Sequence, residues 1–173
     1  MRFVEKTIDF LQTEFEQEVI SVSIFRDQTT LEITRDGLQS VVMALRDHSE
    51  FQYNHLADLT AVDYWPDEPR FAVVYQLYSI SNREFLTLKV RLASDQAEVP
   101  SIEEIFRNAN WHEREVLDMF GIEFSDHSDP RRIIMPHDWE GHPLRKDYPL
   151  GYEEVQFSFN FDEIDKRKPY AVE

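Results

Sequence analysis

Hydrophobic residues repeat along this chain with two periods, and the order in which those periods alternate limits the folds open to it. Val4, Ile8, Leu11 and Phe15 fall at i, i+4, i+7 and i+11, one stripe of an amphipathic helix. Two short alternating runs follow. Ile20, Val22 and Ile24 face one way, and Leu31 and Ile33 alternate with Thr30, Glu32 and Thr34. Asp27-Gln28 supplies turn chemistry between the runs, so a hairpin is expected. Leu38, Val41, Val42 and Leu45 return to helical spacing, with Asp36…Gln39 as a capping-box candidate. Strand patterning resumes within 52–63, over 71–79 and over 84–92, and Ser81-Asn82-Arg83 makes a turn between the last two. After Pro100, Ser101…Glu104 and Asn110…Glu113 read as the capping boxes of two short helices, the second closing near Gly121. The order αββαβββα predicts an α+β two-layer sandwich, a mostly antiparallel or mixed sheet with helices on one face.

From residue 122 onward the periodicity stops. The stretch 126–148 holds Pro130, Pro136 and Pro143, with Pro149 next, and no regular helix runs through that spacing. It also carries Ile133, Ile134, Met135, Trp139, Leu144 and Tyr148, too much apolar surface for disorder. Its five acids (Asp126, Asp129, Asp138, Glu140, Asp147) nearly balance its four bases (Arg131, Arg132, Arg145, Lys146), so it holds −1 of the chain's −16. Three regions are expected: an α+β domain over 1–121, an irregular Pro-rich strap over 122–161 lying flat on a surface of its own or a partner's, and a charged, mobile tail over 162–173. Phe157, Phe159 and Phe161 alternate near the end of the strap.

Composition removes several chemistries. With no cysteine among 173 residues there is no disulfide, thiolate nucleophile or cysteine-ligated zinc or iron–sulfur centre. Four glycines, at 37, 121, 141 and 151, form neither a Walker A loop nor a GxGxxG turn. A net charge of −16 argues against nucleic acid and anionic membrane surfaces as partners. The opening MRFVEKTIDF has no apolar core of a signal peptide, and no apolar run approaches the ~18–20 residues of a membrane span, so a soluble intracellular chain is expected.

The chemistry-bearing motifs each have a structural alternative. His112-Glu113 begins like a zinc-protease HExxH, but Val116 stands where the second histidine belongs. His127, His137 and His142 beside Asp129 and Asp138 could ligate a metal in a hydrolase, although spacings of ten and five match no standard ligand pattern. Asp138 and Glu140 could pair as acid and base, yet carboxylates beside Arg and Lys more often form ion pairs. Glu113-Arg114-Glu115 differs in kind, because three successive helical residues point in three directions and Trp111, Val116, Met119 and Phe120 make the helix apolar. Charges embedded there need fixed partners, and Arg131, Arg132, Arg145 and Lys146 are the natural ones. An Arg-rich loop folded back onto an acidic helix is the expected unit.

The run Glu113-Arg114-Glu115, Asp118-Met119-Phe120-Gly121-Ile122, His127, Arg131-Arg132-Ile133-Ile134 resembles the signature of the C-type subunit of the proton-pumping NADH–quinone oxidoreductase, respiratory complex I. Met135-Pro136 and Trp139-Glu140-Gly141-His142-Pro143-Leu144-Arg145-Lys146-Asp147-Tyr148-Pro149-Leu150 continue it, and the upstream element order agrees with the family's α+β domain. Asp126-His127-Ser128 stands where the family commonly has Gly-His-Pro, so a left-handed turn at 126 would rest on Asp, which tolerates it better than most residues. The resemblance implies a structural subunit of the peripheral arm at the cytoplasmic face of an energy-transducing membrane. It implies no catalytic, metal or cofactor site in this chain, with flavin, iron–sulfur clusters and quinone on other subunits. It also implies packing against the D-type subunit, beside the quinone cavity, with the C-terminal segment running over that partner. Glu113, Arg114, Glu115, Asp118, His127, Arg131, Arg132, Trp139, Gly141, His142, Arg145, Lys146 and Asp147 are then expected to be architectural or interfacial. Equivalent subunits of membrane-bound hydrogenases, of ferredoxin- or deazaflavin-linked oxidoreductases and of photosynthetic NAD(P)H dehydrogenase-like complexes share this pattern.

Overall fold

A computed structural model describes residues 3–149. The expected Phe157–Phe161 alternation, the rest of the strap and the 162–173 tail lie outside the described residues.

The first helical stripe forms α1 (Phe3–Glu14), with Leu11 wholly buried and Val4 and Ile8 packed beside it. The hairpin is β1 (Val19–Phe25) and β2 (Gln28–Ile33). Its turn is Arg26-Asp27, one residue earlier than the sequence suggested, and both residues take positive φ (49° and 62°). Such angles at both central positions twist a two-residue turn to match the strands, which Asp tolerates. In α2 (Leu38–Asp47), Leu38, Val41, Val42 and Leu45 are all fully buried. The Asp36…Gln39 capping box is not made, because Gln39 Nε2 donates instead to Ser101 O at 2.8 Å. Three nine-residue strands follow: β3 (His55–Asp63), β4 (Phe71–Ser79) and β5 (Glu84–Leu92).

The sheet order is β1-β2-β5-β4-β3, parallel between β2 and β5 and antiparallel elsewhere. Register sets the core: Leu31 lies beside Leu88, Leu88 beside Tyr75 and Val90 beside Val73, all buried on the face that α1 and α2 cover. Each such side chain contributes about 1.5–3 kcal/mol by leaving water. The opposite face carries Thr30, Thr87, Gln76, Lys89 and Phe85, as two-layer packing with one open face requires. The apolar alternation of β1 is covered only in part. Ile20 and Ile24 are 58% and 63% exposed, because β1 is the sheet edge and α1 reaches only Val19 and Val22.

Beyond β5 come β6 (Glu98–Pro100), α3 (Ala109–Phe120) and β7 (Glu123–Ser125), with β6 and β7 pairing in parallel. No α-helix forms over 101–108, which runs as successive turns. Ser101 Oγ does accept from the backbone N–H of Glu103 (3.1 Å), but it donates to Glu113 rather than starting a helix. The Asn110…Glu113 box is absent too, since α3 starts at Ala109 and both side chains face other segments. α3 packs on β3, at the sheet edge opposite β1.

Candidate functional site

Residues 126–149 fold back along α3 and are tied to it at three places. At the first, the strap enters beside the buried Glu113 carboxylate. Glu113 accepts from Ser101 Oγ (2.6 Å) and from the Ile102 N–H (2.8 Å). His127 Nδ1 accepts the Asp129 N–H at 2.9 Å, so its Nε2 carries the proton and donates to Asn110 O at 3.1 Å. The same Nε2 stands 3.7 Å from Glu103 and 3.8 Å from Glu113. Glu103 accepts from Asn110 Nδ2 (2.6 Å) and the Ser128 N–H (2.7 Å). Burial pushes the Glu113 carboxyl up, against the pull of its two donors. Burial would raise Glu103 as well, but Asn110 and Ser128 outweigh it and hold that carboxyl low. Asp126 takes φ +62°, so the left-handed turn expected at 126 is made, and made by Asp.

The second tie is Asp118. One carboxylate oxygen accepts three successive backbone N–H groups, Ile133 (3.1 Å), Ile134 (2.8 Å) and Met135 (2.8 Å), and the other accepts Arg132 Nη1 at 2.6 Å. Three consecutive N–H groups converging on one anion make a nest. Burial alone would raise Asp118, but these donors outweigh it and hold the carboxyl below its ordinary value. One turn earlier, Arg114 stacks over the Trp111 ring (5.2 Å) and donates to the carbonyls of Arg131 (3.0 Å) and Arg132 (3.4 Å).

The third tie caps α3. A helix ends with four carbonyls lacking intrahelical partners. Here the strap supplies the donors: His142 Nδ1 to Asp118 O (2.9 Å), Leu144 N to Met119 O (3.0 Å), and Arg145 to Phe120 O (2.5 Å) and Gly121 O (3.3 Å). A guanidinium at this negative end also complements the helix dipole. Gly121 closes the helix at φ +68°, and a Cβ there would lie 2.5 Å from His142 and 2.6 Å from Arg145, so glycine is needed twice over. Burial lowers both His142 and Arg145.

The strap then reaches the far ends of β3 and β4. Arg70 forks onto Asp63 (2.9 and 2.7 Å) and onto Asp147 (3.0 and 2.7 Å), while the Lys146 N–H donates to Asp63 at 2.8 Å. Burial raises Asp63, but Arg70 and the Lys146 and Trp65 N–H groups outweigh it and take its pKa down to about 2. Arg70 holds Asp147 low.

The thirteen residues singled out by sequence thus scatter in role. Asp118 with Arg132 is the expected acid–base pairing. Arg131 instead pairs its exposed guanidinium with Asp129 (2.5 Å), Arg145 caps carbonyls, and Lys146 acts through its backbone. Glu115 is exposed and has no ion pair among the described residues. Gly141 takes φ +82° and its carbonyl accepts Arg132 Nη2 at 3.1 Å, while the half-buried Trp139 bonds through its backbone N–H to Pro136 O (3.1 Å). Asp63, Arg70, Ser101 and Glu103 escape sequence reasoning, since nothing local marks them as partners of the strap. The hydrolase alternative fails on geometry: among the described residues no group of three or more His, Asp or Glu gathers to hold a metal. Asp138 and Glu140 are exposed and stand outside the network. A surface groove of about 450 Å³ on the open sheet face, lined by Gln28, Asp58, Gln76, Phe85 and Thr87 among others, shares no residue with the network.

Over residues 31–154 the chain matches the family described as respiratory-chain NADH dehydrogenase, 30 Kd subunit. It is 47% identical over 163 residues to the C-type subunit of the NADH-quinone oxidoreductase of Roseiflexus castenholzii, covering 94% of each chain. It is 43% identical over 141 residues to that of Geobacter sulfurreducens, covering 81% of this chain and 86% of the relative. Among solved structures, a trypsin-resistant fragment of Nqo5 superposes with a TM-score of 0.63 at 23% identity, covering 74% of this chain and 99% of the fragment. A chain of an archaeal membrane-bound sulfane sulfur reductase superposes with a TM-score of 0.72 at 19% identity, covering 99% of this chain and 97% of that one. At such identities the two structures speak for the fold alone. Fold, signature and relatives agree: the chain belongs to the 30 Kd subunit family of respiratory-chain NADH dehydrogenase, together with the C-type subunits of NADH-quinone oxidoreductases.

Proposed function

We propose that this chain is a non-catalytic structural subunit of the peripheral arm of an NADH-quinone oxidoreductase, held at the cytoplasmic side of the cell membrane through its partners. In this reading it packs against the D-type subunit near the quinone cavity and supports electron transfer from NADH to quinone coupled to proton translocation. Flavin, iron–sulfur clusters and quinone belong to other subunits. One observation carries the reading: Arg114, Asp118, Arg132 and Arg145 are all engaged in joining α3 to the strap and Glu113 is engaged by Ser101 and Ile102, while the strap's outer surface leaves Ile133, Ile134 and Leu144 at 38%, 57% and 53% exposure. Apolar side chains exposed on tightly held backbone suit a protein contact. Among the described residues no helix is long and apolar enough to cross a membrane, so membrane association would come through the complex. The test is affinity purification of the tagged chain from its native membrane. Co-purification of NADH-quinone oxidoreductase subunits, the D-type subunit among them, is expected; recovery of the chain alone, or with bound stoichiometric iron or flavin of its own, would contradict the reading. The similarity to a chain of the sulfane sulfur reductase favours a second reading, an equivalent subunit of a related membrane complex with another electron donor, which the same purification separates by the donor module recovered.

A further inference from the structure

The uncharged edge strand β1 packs only Val19 and Val22 against the core and leaves its other apolar side chains outside it. Its outer edge pairs with no strand there, and Ile20, Ile24 and Phe25 are 58%, 63% and 69% exposed. Natural edge strands are usually blunted by charge, proline or bulges. Val19–Phe25 has no charge, proline or glycine, and its single bulge lies between Val19 and Ser21, leaving 21–25 in regular register. Because Phe25 pairs with Gln28 across the two-residue turn, alternation of the ladder sends the N–H and C=O groups of Val22 and Ile24 to the free edge.

The strand reads Val-Ile-Ser-Val-Ser-Ile-Phe, nearly the same in both directions. We infer that β1 pairs antiparallel with β1 of a second copy of this chain about a two-fold axis through Val22, joining two five-stranded sheets into one. A two-fold interface must be self-complementary, and this register meets that demand. Ser21 falls opposite Ser23 of the second copy, Ile20 opposite Ile24, and Val22 opposite itself. Just outside the strand Glu18 falls toward Arg26, and Asp27 toward uncharged Gln17. No like charges meet along the seam, although each chain carries −16. The β1 edge and the β3 edge, where α3 and the strap lie, are four strand spacings apart, roughly 19 Å. Self-pairing therefore leaves the strap's surface open to another partner. Seven residues of edge pairing bury less than a standard interface, so the association is weak and concentration-dependent.

The chain lacks cysteine, which makes a register-specific test direct. Ser21 and Ser23 are both exposed, and in the inferred register their Cα atoms lie about 4.5 Å apart across the seam, whereas Ser21–Ser21 and Ser23–Ser23 lie about 8 Å apart, beyond disulfide reach. Under mild oxidation a mixture of Ser21→Cys and Ser23→Cys chains should give several-fold more disulfide dimer than either chain alone. Sedimentation equilibrium of the unmodified chain should show a monomer–dimer equilibrium that Ile24→Lys abolishes. A monomer at every concentration, equal cross-linking of the single variants, or a dimer indifferent to Ile24→Lys would each overturn the inference.

Discussion

Glu113 and Asp118 stand on the same helix, both with 0% exposed side chains, yet the protein moves their acidities in opposite directions. Burial works on both and favours the neutral acid in each case. The difference lies in what the strap and its neighbours bring. Glu113 meets two neutral donors and has His127 and then the Glu103 carboxylate nearby, which pull in opposite directions. Asp118 meets three consecutive backbone N–H groups and a guanidinium. Depth of burial therefore does not decide which of two buried acids is a charged anchor; the number and charge of fixed donors does. Asp118 holds the strap as an anion, while Glu113 positions Ser101 and Ile102 as a hydrogen-bonding group whose charge costs stability.

Asp118→Ala is expected to break this contrast most severely. It leaves Arg132 and three N–H groups without their acceptor, and losing one side of such a buried arrangement costs about 3–5 kcal/mol. Urea unfolding should show a lower midpoint at unchanged slope, and trypsin should cut faster after Arg131 and Arg132. A loss under about 1 kcal/mol would remove Asp118 as the anchor. Asp63 extends the Asp118 side of the contrast. Its folded pKa of about 2 lies below the unfolded value of about 3.9, so its contribution is present above the unfolded pKa and is lost as pH falls through the folded one. Asp63→Asn should therefore cost about 2–3 kcal/mol at pH 7 and close to nothing near pH 2, read from unfolding curves across that range. Glu113→Gln tests the other side and should be the mildest, within about 1 kcal/mol at pH 7. The folded pKa of Glu113 is raised, so its contribution is fully present below the unfolded value of about 4.3 and is lost as pH rises through the folded one. Relative to Glu113→Gln, the parent chain should gain stability as pH falls through the raised folded pKa toward the unfolded value. A parent that loses stability over that window would erase the contrast.

Part of this site could be read from sequence because of where its charges lie. A triplet of charged residues on an apolar helix cannot all face water, which points to a basic strap folded back onto the helix; the strap does fold back, but Glu113 meets Ser101 and Ile102, Glu115 stays exposed, and the acid that takes a strap base is Asp118, on Arg132, outside the triplet. Helix and strand periods likewise exposed α1, α2 and β3–β5, since each buries one face in a common core. What sequence hid was long-range or edge-dependent. Asp63 meets Lys146 across 83 positions and Arg70 meets Asp147 across 77, with no local pattern to announce either. The capping boxes at 36, 101 and 110 were plausible local chemistry that tertiary partners outcompeted, as with Gln39 on Ser101 O. The β1 alternation looked like a core face, but alternation cannot tell a covered strand from an edge strand whose cover runs out.

If the charges of α3 and the strap serve architecture, Arg145 shows it most directly, because it caps the carbonyls of Phe120 and Gly121 at the end of α3 and touches no acid of the helix. With Arg145→Ala in the native membrane, both the amount of assembled complex and the NADH:quinone turnover per assembled complex would be measured. A clear loss of assembled complex with turnover per complex nearly unchanged is expected. Normal assembly with turnover abolished would contradict it.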